Sequence, residues 1–200
     1  MEEKQPSLIH NISKVISNFF NPLVSLLLFY IYLSIRQYSF KDSLSYFLPI
    51  LLMIMIPVIV WLIWNVKTGR YTNMDVSNRM QRKSLYIFIG VCVVSYLGFN
   101  YFKNGIIDFV MLFILILLFA MQISNFYIKS SMHTSFNIFV AALFFNLSTG
   151  MGIIWLGIAT LVGITRVILK RHTLMEVLMG AGIAFMVSFI YLYCNIQFQQ

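Results

Sequence analysis

Long apolar stretches alternate with short polar ones along the whole chain. Apolar runs occupy about 15–35, 46–66, 85–102, 106–124, 134–148, 151–165 and 174–196. Most approach the roughly 20 residues an α-helix needs to cross about 30 Å of hydrocarbon. The pattern predicts an all-α, polytopic transmembrane helix bundle of six or seven spans, in one domain covering residues 1–200. The fifth and sixth runs are short and separated only by Thr149 and Gly150, which suits a tight helical hairpin or a tilted, re-entrant pair. Pro22, Pro49 and Pro57 lie in or near the first two runs, where neighbouring helices can re-satisfy the backbone groups that a kink frees. Small residues crowd the stretch from Gly150 to Ala184 and predict close helix packing there.

Composition supports the membrane reading. Of the 200 residues 60% are hydrophobic and 10% charged, against about 45–50% and about 25% in a soluble domain. Cys92 and Cys194 sit inside apolar runs with no metal-ligand spacing and no disulfide framework, so they read as small hydrophobes. The net charge of +8 is not arranged as a basic stripe interleaved with exposed aromatics, so nucleic acid is not an expected partner; loops on one membrane face account for it. The segment Met1-Glu-Glu-Lys4 is acidic, and the first apolar run is longer than a signal-peptide core and lacks a small-residue cleavage site after it. That run is therefore read as a retained span.

Charge is costly in lipid, so the placement of the few ionisable residues is informative. They gather at Lys67–Lys83, at Lys129–Thr134 and at Thr165–Glu176. Two predicted helices separate the first group from the second, and two more separate the second from the third. All three groups therefore emerge on one membrane face. Their inventory is two histidines, a hydroxyl, several guanidiniums and one carboxylate, with no thiolate and no set of acidic metal ligands. Such a set suits phosphate: arginine forks match its oxygens, a serine and helix N-terminal amides add donors, and two histidines can divide nucleophile and general-acid work. His172 and Glu176 are spaced i, i+4, so on a helix the carboxylate can hold one ring nitrogen and leave the other to attack. The same spacing also describes an ordinary ion pair on a helix surface.

At these residues the chain resembles the type 2 phosphatidic acid phosphatase (PAP2) superfamily, whose signature has three parts. These are Lys, six residues, Arg-Pro; then Pro-Ser-Gly-His; then Ser-Arg, five residues, His, three residues, Asp. The third part is best kept: Thr165-Arg166, five residues, His172, three residues, Glu176, with Thr for Ser and Glu for Asp. The second is half kept as Ser130-Ser131-Met132-His133, with Ser130 at the proline position and Met132 at the glycine. In the first, Arg79 and Arg82 lie in the right loop, but no lysine stands seven residues before either and no proline follows; Lys67 and Lys83 are the candidate substitutes. The signature spans about 79–176. The resemblance implies a PAP2/acid-phosphatase-like helical core and a membrane phosphatase that needs no metal or other cofactor. It implies that His172 attacks phosphorus, that Glu176 orients His172, and that His133 protonates the leaving oxygen and then activates water. Arg166, Ser131, Arg82 and Arg79 would hold the phosphoryl oxygens. The implied partners are the bilayer and a lipid phosphate or isoprenoid diphosphate, with phosphatidic acid, phosphatidylglycerol phosphate and undecaprenyl diphosphate all open. The oligomeric state is left open.

Of the 14 Lys and Arg residues, 11 fall on the predicted face that carries the three groups, and Arg36, Lys41 and Lys103 fall on the other. Setting aside Arg79, Arg82, Lys129 and Arg166 leaves seven against three. The positive-inside rule then predicts a cytoplasmic active-site face, in what the resemblance implies is a bacterial cytoplasmic membrane. His10, Asp75 and Asp108 read as solvated residues, and Trp61, Trp64, Tyr71, Tyr86 and Tyr101 as interfacial anchors. Two competing readings are a catalytically inactive relative that binds or carries a lipid phosphate, and a haem protein. The haem reading is disfavoured, because His133 and His172 open helices beside cationic residues rather than facing each other inside a bundle.

Overall fold

The computed structural model describes residues 7–76 and 78–198; the acidic N-terminal segment lies outside them. Among the described residues the regular elements are all helical. They are α1 (Leu8–Phe19), α2 (Pro22–Gln37), α3 (Phe40–Ile50), a π-helical stretch (Leu51–Met55), α4 (Ile56–Lys67), α5 (Arg79–Asn104), α6 (Phe109–Tyr127), α7 (Met132–Leu147), α8 (Thr149–Ile168) and α9 (Leu174–Phe198). They fall into two compact units that interleave in sequence. One comprises Met1–Phe29 and Ile128–Tyr193, the other Tyr30–Tyr127 and Cys194–Gln200.

The first unit is built on α7. Every residue of this helix from Thr134 to Phe144 is buried, as an α-helix that is apolar all round must be. Phe29 and Trp155 place their rings 5.3 Å and 4.8 Å from that of Phe144, and Tyr191 packs 5.5 Å from Phe139. The expected hairpin between the fifth and sixth apolar runs is present, but its turn is Ser148, which ends α7 and opens α8. Thr149 and Gly150 already belong to α8. Small residues permit close approach at particular points: a Cβ on Gly152 would run into the Phe145 ring, and one on Gly163 would press on Val177. Gly157 and Gly182 face open space, so packing does not account for them.

The first apolar run is not one helix. It breaks between α1 and α2 by 57°. Pro22 disfavours helical backbone at Asn21, and the Asn21 side chain caps the new helix, accepting from the amides of Leu23 and Val24 at 3.1 Å each. Buried Asn137 of α7 secures the break. Its Nδ2 donates to the carbonyls of Phe20 and His133 at 2.8 Å, and its Oδ1 accepts from Ser25 at 2.9 Å. On α1 the apolar stripe Leu8, Ile12, Val15, Phe19 is exposed, while Ser13 and Ser17 are buried.

In the second unit, α3, the π-helical stretch and α4 run on as one apolar helix from Phe40 to Lys67. Pro49 lies in α3 and Pro57 in the first turn of α4. Neither proline can donate a backbone hydrogen bond, and the ladder widens into the π-helical turn between them. Helices α5 and α6 form a hairpin closed at one end by Arg79, whose Nε donates to the Asn125 carbonyl, while Asn125 Nδ2 donates back to the Arg79 carbonyl at 3.2 Å. Asp108, expected to be solvated, is buried at the start of α6. It accepts from the hydroxyls of Tyr46 and Tyr96 at 2.8 Å and 2.9 Å and caps the helix through the Met111 amide at 3.0 Å. Tyr71 and Tyr86 are buried rather than interfacial. Tyr71 joins Trp61 at 3.1 Å and Ser84 at 2.7 Å, and Trp61 stacks on Phe88. Trp64 and Tyr101 are exposed, as anchors would be. His10 is half-buried, and Cys92 and Cys194 are free thiols.

Among the described residues five helices are long and apolar enough to cross a membrane, and six if the bent α1–α2 pair counts as one span. The fifth apolar run expected from sequence, α7, has 16 residues, about 24 Å at 1.5 Å per residue. It is shorter than a lipid-exposed span, and enclosed by protein it has no lipid face to match.

Candidate active site

The polar residues of the first unit meet where α7 and α9 begin and α8 ends. Helix α8 finishes in a Schellman motif: Arg171 N–H donates to the Arg166 carbonyl at 3.0 Å and Lys170 N–H to that of Val167 at 2.9 Å. Lys170 occupies the left-handed position, with φ of 53°, where glycine is usual. The His172 amide also donates to the Arg166 carbonyl, at 3.2 Å. One carbonyl therefore ties the backbone of His172 to that of Arg166, and the five-residue spacing between them is the length of this cap.

Helix α9 starts one residue beyond Thr173, so His172 precedes the helix rather than lying on it. The expected pairing forms all the same. His172 Nδ1 lies 2.9 Å from Glu176 Oε2. Glu176 also closes a capping box with Thr173: its Oε2 accepts from the Thr173 amide at 3.0 Å, and its own amide donates to Thr173 Oγ1 at 3.2 Å. A carboxylate so engaged is an acceptor, which places the imidazole proton on Nδ1. His172 is 5% exposed, and the α9 N-terminus beside it favours negative charge.

Ser131 and His133 come from the start of α7. The Ser131 amide donates to the Glu176 carbonyl at 3.0 Å, which fixes the opening of α7 against the opening of α9. The approach is close enough to require Gly180, where a Cβ would lie 2.8 Å from Ser135 Oγ and 2.9 Å from the Ser131 amide nitrogen. The Ser131 hydroxyl caps α7 through the Thr134 amide at 3.4 Å and pairs with Thr134 Oγ1 at 3.0 Å. His133 is half-buried in the first helical turn. Met132, at the family's glycine position, is the first residue of α7, where an amide has no intrahelical acceptor.

Arg166 is 3% exposed, and its Nη1 donates to Ser17 Oγ at 2.9 Å. Ser17 carried no signal in the sequence, because a serine in an amphipathic helix has no local feature that points to an arginine 149 positions away. Lys129 is a further contributor: its Nζ lies 3.9 Å from Glu176 Oε2 and donates to the Arg171 carbonyl at 3.2 Å. Ser131, His133, Arg166, His172 and Glu176 are thus assembled within one unit. Arg79 and Arg82 belong to the other. Arg79 is exposed at the α5–α6 end, and Arg82 is 3% exposed, with Nε directed at the Val76 carbonyl at 3.5 Å. Val76 itself has a φ of 47°, a strained value for a β-branched residue. Among the described residues no group of three or more His, Cys, Asp or Glu could hold a metal ion.

Neither the curated proteins nor the solved structures yield a match to the chain. A family model does: residues 121–199 match that of the PAP2 superfamily. The match runs from the end of α6 through α9 and takes in the second and third signature segments, while Arg79 and Arg82 precede it. A membrane branch agrees with the apolar helices on either side of these segments. The region that carries Ser131, His133, Arg166, His172 and Glu176 belongs to the PAP2 superfamily.

Proposed function

We propose that the protein is a membrane phosphatase that hydrolyses a lipid phosphate or prenyl diphosphate through a phosphohistidine on His172, with no metal required. Membership of the superfamily supports phosphatase chemistry in general. The observation that carries the specific reading is the placement of His172: Nδ1 is engaged by Glu176, and the backbone is tied to that of buried Arg166.

In the first step Nε2 attacks phosphorus and the bond from phosphorus to the ester oxygen breaks. His133 gives its proton to the departing oxygen. In the second step water attacks the phosphohistidine, His133 takes the water proton, and inorganic phosphate leaves with Nε2 restored. Arg166 stabilises the charge that spreads over the equatorial oxygens, and Ser131 and the α7 amides add donors. Ser17 holds the Arg166 fork, which must point one way to bind two oxygens. Glu176, one methylene longer than the family's aspartate, reaches His172 because it also closes the capping box, which fixes the longer arm. The phosphate-binding roles of Arg82 and Arg79 rest on the sequence resemblance alone.

The test is release of inorganic phosphate by purified protein from a panel of lipid phosphates and prenyl diphosphates without added metal. Release by the intact protein, lowered on the order of 10⁴-fold or more in His172→Ala, is the expected result. Unchanged turnover in that variant sinks the mechanism. No turnover on any substrate favours a relative that only binds or carries a lipid phosphate, the reading motivated by the divergent first segment and by Met132.

A further inference from the structure

A groove of about 430 Å³ runs between α8 and α9 and is floored by α7. Thr134, Thr160, Gly163, Val167, Val177 and Ala181 are among the residues that line it. The two threonine hydroxyls in its wall are spent elsewhere: Thr160 Oγ1 donates to the Leu156 carbonyl at 3.0 Å, and Thr134 Oγ1 pairs with Ser131 at 3.0 Å. Water in the groove would find few partners, so the space suits hydrocarbon.

One end of the groove reaches the candidate active site. Val167 follows Arg166 in α8, Leu174 is two residues beyond His172, and Thr134 shares its hydrogen bond with Ser131. From that end the α8 wall extends back from Ile168 to Leu156, roughly 18 Å at 1.5 Å per residue, or over half of the ~30 Å hydrocarbon thickness. The volume lies near the lower limit of about 300–1,000 Å³ for pockets that enclose a whole ligand. A cationic end with an apolar extension of this volume fits an anionic head carrying one long chain.

We propose that this groove is the chain-binding subsite for the phosphate substrate. It takes a single hydrocarbon chain, so single-chain lipid phosphates suffice as ligands and a second chain stays in the bilayer. The proposal takes its head-group end from the phosphatase reading above. It extends that reading by assigning where the chain lies and how many chains are gripped.

The test uses the full chain in phosphatidylcholine nanodiscs and a single-chain alkyl phosphate with a diazirine midway along the chain. The matching alkyl alcohol is the control. Irradiation is expected to label the 156–168 and 174–185 segments with the phosphate probe, and an excess of unlabelled alkyl phosphate should compete. Ala181→Phe and Thr160→Phe place a ring in the groove from positions that are not buried, and each should lower labelling roughly tenfold. Equal labelling by the alcohol, or labelling unchanged in both variants, overturns the subsite. Phosphate release from the same probe separates this proposal from the one it rests on. Specific groove labelling with no release from any substrate supports the subsite and counts against the phosphatase. Release that both variants leave intact, with label elsewhere, supports the phosphatase and overturns the subsite.

Discussion

Glu176 serves two tasks at once: it orients the His172 ring and closes the first turn of α9. Glu176→Gln keeps an amide oxygen for both contacts but removes the charge that would stabilise an imidazolium or steady a phosphohistidine. The expected result is a fall in kcat of roughly 10- to 100-fold with little change in the thermal midpoint, measured by phosphate release and by unfolding in detergent. A large loss of stability with kcat intact would make Glu176 a cap and nothing more. Asn137 is the contrasting case, fully buried and tied to two carbonyls and a serine. Asn137→Leu should destabilise the protein by about 2–4 kcal/mol, because buried acceptors are left unmet; thermal unfolding reads it directly. The pairing of His172 with Glu176 was legible from their spacing alone. Asn137 and Ser17 were not, because each reaches a partner more than 100 positions away in sequence.

At the level of elements, the third signature segment is a helix end, a cap and a helix start. Its spacing reflects that geometry: Arg166 is the third residue from the end of α8, and the Schellman cap returns the chain so that His172 meets the same carbonyl. Lys170 bears the backbone strain of this return. Lys170→Gly removes the steric penalty of the left-handed conformation, about 1 kcal/mol, and should raise the thermal midpoint while leaving phosphate release within about twofold. A drop in stability would mean that the lysine side chain matters more than its backbone. Helix identity was legible here because apolar runs and polar punctuation coincide. The cap was not, since lysine is a poor marker of a left-handed residue. The break between α1 and α2 was only half legible: Pro22 announced a kink, but the capping by Asn21 that makes it a full break depends on side-chain geometry.

For the molecule as a whole, the meeting of the second and third polar segments was the part of the architecture most readable in advance. Two helices, α7 and α8, return the chain so that the second and third segments meet. Span count was less readable, because the rule of about 20 residues applies to helices that face lipid and α7 does not. The Lys and Arg bias predicts a cytoplasmic position for this end of α8. In a variant with Cys92 and Cys194 replaced, a cysteine at exposed Thr149 should react with an impermeant maleimide in intact cells. A cysteine at exposed Lys170 should react only after permeabilisation, and the reverse pattern would place the site outside. The most direct test of the central claim is rapid acid-free quenching of the protein with a lipid substrate labelled at the phosphoryl group, followed by peptide mapping. The account predicts a base-stable, acid-labile phosphoryl adduct on the peptide that contains His172, absent from His172→Ala. Efficient turnover with no such adduct, or an adduct that persists in His172→Ala, would contradict it.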